Sequence, residues 1–191
     1  VTSDAFGALD LAVFALLSSW EGKSCGLDGL MRFLTNSLLL KGAVPVMILW
    51  YLWFGHSDTT GEATGPDGPT RRGVVGILGA SLLAIFFGRL LANVLPFRLR
   101  PLHDEELALP LACGMERSVL DGWSSFPSDH ALMFFALATG ILLLSRPLGA
   151  LAWLHALLVV SLPRVYLGFH YPSDILAGLL LGALVTLAVF K

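Results

Sequence analysis

Three short stretches of this chain carry residue types that chemistry uses. In RVYLGFHYPSD, residues 164–174, an arginine, a histidine and a carboxylate follow an R-x5-H-x3-D spacing as Arg164, His170 and Asp174. In PSDH, residues 127–130, Ser128, Asp129 and His130 stand directly before an apolar run. In PFRLRP, residues 96–101, Arg98 and Arg100 lie two positions apart, so an extended segment would point both to one side. Guanidinium forks match phosphate oxygens. Ser128 occupies a natural N-cap position, which aims the amides of the next turn, that of Asp129 among them, outward at the positive end of a helix. Two histidines can serve as nucleophile and proton donor while a carboxylate orients one of them. The set points to phosphoryl transfer that needs no metal and no other cofactor.

The elements that must position these groups are hydrophobic. Of the 191 residues 55% are hydrophobic and only 14% charged, with a mean hydropathy of +0.76. Soluble domains carry about 25% charged residues, so the composition points to an integral membrane protein. The formal net charge of −2 leaves no broad basic surface and argues against nucleic acid as a partner. Apolar stretches at about 37–54, 73–95, 148–166 and 175–190 are long enough, or nearly so, to cross a bilayer. Shorter ones lie at 131–144 and at 5–20, the latter interrupted by Asp10. No basic region precedes that first stretch, so no cleavable leader is expected. The expectation is one all-α domain over 1–191, a multi-pass transmembrane bundle of six helices with its active site at one membrane face.

Six crossings put the three polar clusters on the same face. The longest connection, 96–129, concentrates charge there, and 21–36 has room for an amphipathic helix lying on the membrane. The 55–72 segment reads as a flexible solvent loop. Arg71, Arg72, Arg146 and Lys191 gather at the opposite face, which the positive-inside rule assigns to the cytoplasm. Cys25 and Cys113 then share the outer face, where an oxidising compartment permits a disulfide between them. Blander roles fit other polar residues. Arg71, Arg72 and Arg89 read as headgroup anchors, His155 as a helix–helix contact, and His56 and His103 as ordinary loop residues.

At these residues the chain resembles the type 2 phosphatidic acid phosphatase superfamily, integral-membrane lipid phosphatases related to vanadium haloperoxidases. The family signature is K-x6-R-P, P-S-G-H and S-R-x5-H-x3-D. Here Arg164, His170 and Asp174 match the third part, with Pro163 in place of Ser. The second part has Asp129 for Gly, and the first keeps Arg100-Pro101 but has Asn93 for Lys, which leaves Arg98 or Arg89 as the replacement cation. The Asp129 charge is expected to favour a protonated His130. The resemblance covers about residues 73–190. It implies hydrolysis of a phosphomonoester or diphosphate on a lipid, possible substrates including a polyprenyl diphosphate. His170 would be the nucleophile oriented by Asp174, His130 the acid, and Arg100, Arg164, Ser128 and Asp129 the phosphate ligands. It also implies a bacterial inner membrane with the site facing the periplasm or outside. A non-catalytic scaffold or transporter, a metal-dependent hydrolase using His130, His170 and Asp174, and a haloperoxidase are the alternatives.

Overall fold

The computed structural model describes residues 5–55, 69–107 and 109–191, with side chains omitted at 5, 6 and 69. His56 and most of the 55–72 segment lie outside the described residues. Among the described residues seven helices account for the fold: α1 (Ala5–Leu17), α2 (Cys25–Asn36), α3 (Leu38–Phe54), α4 (Pro69–Val94), α5 (Asp129–Leu144), α6 (Arg146–Tyr166) and α7 (Pro172–Val189). No strand occurs among the described residues.

By length and composition α4, α6 and α7 can each cross a bilayer, and α2 with α3 forms a fourth candidate bent by 53°. Against the six crossings expected, α5 and the Gly7–Leu17 part of α1 are apolar but shorter. The 21–36 segment does contain a helix, α2. Ser37 makes the bend: its amide donates to Phe33 O at 2.9 Å to close α2, and its Oγ accepts from Leu40 N at 3.2 Å to open α3. One residue therefore serves as C-cap and N-cap at once.

Helix α5 is largely enclosed by its neighbours. Leu132, Phe135, Ala136 and Ile141 are fully enclosed, and α4, α6 and α7 pack around it. The α5–α7 seam is nearly backbone to backbone. A Cβ on Gly178 would come within 2.8 Å of Ser128 O, and one on Gly182 within 2.5 Å of Leu132 O. Such small-xxx-small spacing lets two apolar helices approach where no hydrophobic force from water drives them together. The seam also fixes Ser128 beside the start of α7, with Ser128 N donating to Asp174 O at 3.2 Å.

The 96–128 connection folds as a cap over one end of the bundle. Leu102, Ala112 and Met115 pack with Tyr166, Leu167 and Phe169 into a small core of their own. A disulfide from Cys25 to Cys113 ties this cap to the first turn of α2, and Arg32 donates to Cys113 O at 2.7 Å. His155 on α6 bonds Leu40 O on α3 at 2.9 Å, a helix–helix contact of the kind its mid-span position suggests. His103 in the cap lies 2.8 Å from Arg117 O.

Candidate active site

Beneath the cap lies a cavity of about 530 Å³. Arg100, His130, Arg164 and His170 all line it, so residues from the cap, α5, α6 and the α6–α7 loop meet around one hollow. Arg89, Lys41, Thr35, Asn36, Asn93 and Asp129 complete much of its polar wall.

His170 sits in the five-residue loop between α6 and α7 and is almost fully buried. Its Nδ1 lies 2.8 Å from Ser125 O. A carbonyl oxygen only accepts, so Nδ1 carries the proton and Nε2 keeps its lone pair. Nε2 stands 3.4 Å from Arg100 Nη1, on the cavity side. Burial pushes the His170 pKa below its ordinary value, and the nearby Asp174 carboxylate opposes that only in part. Burial thus favours the neutral imidazole, with a free lone pair on Nε2.

Arg100 is buried and held by three carbonyls, those of Phe169 at 2.6 Å, Trp123 at 3.1 Å and Ser124 at 3.2 Å. With no carboxylate on it among the described residues, its charge is left for a ligand. Arg164 is placed by a widened turn: residues Ala156–Ser161 are π-helical, and Pro163 stands between that turn and Arg164. Its Nη1 donates back to Val160 O at 2.7 Å. Such π turns recur at functional sites because they redirect the side chains that follow.

The geometry corrects several expectations. Arg98 does not share the cavity with Arg100. Its Nη1 donates to Asp174 Oδ1 at 2.6 Å and Ser173 Oγ at 2.8 Å, its Nη2 to Asp10 Oδ2 at 2.9 Å, and it lies over the Tyr171 ring. Two enclosed carboxylates, Asp10 and Asp174, need a counter-charge more than the cavity does. Asp129, for its part, does not pair with His130 but forms a 2.6 Å salt bridge to Arg89. That pairing neutralises the one carboxylate on the wall. Arg89, which also lies over the Trp123 ring, is thus a wall residue of the cavity.

Ser128 caps α5 with Oγ 3.5 Å from Ala131 N, but it is wholly buried and not on the wall. Asp174 stands behind His170, with Oδ2 3.8 Å from Nδ1, accepting from Tyr171 N at 2.8 Å and from Ser125 Oγ. Among the described residues no three His, Cys, Asp or Glu side chains converge to hold a metal ion.

Sequence reading missed Ser125, Asp10 and Lys41. Ser125 carries no signal of its own. Asp10 and Lys41 do: each is a lone charge in an apolar run, which is expensive unless it is used.

Comparison with known proteins supplies a context for this geometry. The family model described as PAP2 superfamily matches residues 73–191. The chain is 35% identical over 186 residues to the "Bacitracin transport permease protein BcrC" of Bacillus licheniformis, covering 97% of this chain and 81% of that protein. It is 23% identical over 185 residues to the "Undecaprenyl-diphosphatase BcrC" of Bacillus subtilis, covering 96% and 83%. The crystal structure of Aquifex aeolicus LpxE superimposes with a TM-score of 0.64 at 24% identity, over 96% of this chain and 95% of that one, and so shares the fold.

Proposed function

The chain belongs to the PAP2 superfamily, and from that premise we infer that it is an integral-membrane lipid phosphatase acting on a lipid diphosphate. One observation carries the reading: Arg100, His130, Arg164 and His170 surround a single cavity beneath the cap. A phosphate borne on a lipid reaches such a cavity by lateral diffusion, which gives a reason for building it in a membrane bundle.

His170 Nε2 attacks the terminal phosphorus in line and forms a phosphohistidine. Arg100 and Arg164 hold the equatorial oxygens as charge redistributes toward the leaving group. His130 stands beside the leaving oxygen, which on a diphosphate is the bridging oxygen of the departing lipid phosphate, and takes a proton from the water that cleaves the N–P bond. Asp174 acts from behind His170 through the 125–128 segment and Arg98. The diphosphate assignment is supported by the relative named as an undecaprenyl-diphosphatase. The basic residues Arg71, Arg72, Arg146 and Lys191 support a cytoplasmic location for the opposite face, which puts the cavity on the periplasmic or outer side of a bacterial inner membrane.

The test is phosphate release by the purified protein in detergent, over lipid mono- and diphosphates, with chelator and vanadate as controls. Release that vanadate inhibits and chelator leaves intact supports phosphohistidine chemistry. Loss of release with chelator points to a metal-dependent hydrolase instead. No release from any substrate favours transport, the activity in the name of the B. licheniformis relative.

A further inference from the structure

The cavity wall carries four cations, Lys41, Arg89, Arg100 and Arg164, against one carboxylate, Asp129, which Arg89 neutralises. Three positive groups are left facing one hollow. A phosphate monoester brings about −2 charges at most, so the site is over-supplied for one phosphoryl group.

Lys41 is the unexplained member. It lies in the first turn of α3, is 7% exposed, and its Nζ donates to Thr35 O at 2.6 Å. No carboxylate pairs with it among the described residues. An ammonium can donate three hydrogen bonds, so two remain. Thr35 lies beside it on the wall, and its buried hydroxyl has no hydrogen-bond partner among the described residues. Buried polar groups are nearly always satisfied, so Lys41 and Thr35 together form a corner built to receive something. The corner is held firmly to the rest of the site. His155 bonds the Leu40 carbonyl next to Lys41, and His155 and Arg164 ride on the same helix, α6.

Lys41 and Thr35 supply the α2–α3 wall of the cavity, whereas His170 enters from the α6–α7 loop. In-line displacement sends the leaving group to the side opposite the attacking atom.

We propose that Lys41, with Thr35, binds the lipid-proximal phosphate of a diphosphate substrate and makes the enzyme selective for lipid diphosphates over monophosphates. Lys41 thereby takes over, from a different helix, the charge that the family Lys would supply at position 93. The step balances without further reagents. The His170 Nε2–P bond forms, the bridging P–O bond breaks, and its electron pair passes to the proximal phosphate, whose added charge Lys41 offsets. Water then cleaves the N–P bond, releasing inorganic phosphate and a proton. This proposal rests on the lipid-phosphatase reading.

The experiment compares wild type, K41Q and K41R on farnesyl diphosphate and farnesyl monophosphate, with thermal stabilisation by inorganic pyrophosphate and orthophosphate measured alongside. K41Q is expected to lose roughly 10- to 100-fold in kcat/KM on the diphosphate and less than about 3-fold on the monophosphate, with K41R recovering most of the loss. Equal losses on both substrates, or none, overturn the assignment. If wild type cleaves neither substrate, the phosphatase reading fails by itself and the binding arm still decides. A pyrophosphate shift present in wild type and absent in K41Q supports the lysine site, while an equal shift in both, or none in wild type, overturns it. K41M, which keeps the apolar stem, replaces K41Q should the latter not fold.

Discussion

His170 Nδ1 lies 2.8 Å from the Ser125 carbonyl oxygen, nearer than the 3.8 Å to Asp174 Oδ2. The tautomer of the candidate nucleophile is thus set by a main-chain acceptor, while the carboxylate holds that acceptor in place through the Ser125 hydroxyl. Removing the hydroxyl leaves the carbonyl but frees it to move. Ser125→Ala is expected to lower kcat by about 10-fold with KM little changed, since orientation of the attacking atom is lost but phosphate binding is not. Asp174→Asn removes the charge that pairs with Arg98 and one of the two acceptor oxygens, and is expected to cost both activity and thermal stability. A Ser125→Ala enzyme with wild-type kcat would show that the carbonyl needs no tether.

His130 stands on the cavity wall at the head of α5, where a leaving oxygen needs a proton only if it is basic. An alkoxide leaving group needs that proton; a phosphate or nitrophenolate does not. His130→Ala is therefore expected to lose roughly 100-fold or more in kcat on an alkyl phosphate and much less on a nitrophenyl phosphate or a lipid diphosphate. Equal losses on all three substrates would remove its role as an acid in the first step. The same panel with His170→Ala should show no turnover on any of them.

Much of the architecture was legible in the sequence because membrane helices announce themselves by apolar length, and because R-x5-H-x3-D and PSDH are local patterns. Arg100, His130, Arg164 and His170 do share one cavity, as a common membrane face required. The destination of Arg98 was hidden for a physical reason. Its partners, Asp10 and Asp174, are 88 and 76 residues away, and their burial could not be known before the helices were packed. Ser125 was equally out of reach, since its part is played by a backbone carbonyl that any residue carries. Lys41 was not hidden. A lone lysine stands out in LLLKGAVPVMILW, but it belongs to none of the local patterns, which all lie in the second half of the chain.

Burial holds the His170 pKa below the ordinary imidazole value of 6.5, so the nucleophile remains neutral into mildly acidic solution. The acid limb of kcat/KM for the diphosphate is expected below pH 6.5, with activity falling as His170 becomes protonated. For stability the sign is the same: the unfolded imidazole binds a proton more readily, so acidification below pH 6.5 draws the chain toward unfolding until the folded-state value is passed. A pH–rate profile would decide, and an acid limb centred above pH 6.5 would rule out His170 as a buried neutral nucleophile. Arg100→Gln removes a neighbouring cation that favours the neutral ring, so its acid limb should move upward.

Glu21, in the turn between α1 and α2, gives a second pH signature of opposite sign. It is almost fully enclosed, and neither carboxylate oxygen has a hydrogen-bond partner among the described residues. Burial, reinforced by the Asp28 charge, raises its pKa from 4.5 to about 7. Asp28 is itself tied to Tyr166 OH at 2.6 Å and to Cys113 N at 2.8 Å, so this pair sits where α2, α6 and the disulfide-anchored cap meet. Between pH 4.5 and about 7 the folded chain holds a proton on Glu21 that the unfolded chain has released. The stabilisation is present in full below pH 4.5, declines as pH rises through that window, and is gone above it. Its size is on the order of 3 kcal/mol. Glu21→Gln keeps the shape and removes the titration, so its unfolding midpoint should vary less over that window and exceed that of wild type at pH 8. Parallel curves for the two proteins would show that Glu21 is solvated and that the cap is not under this strain.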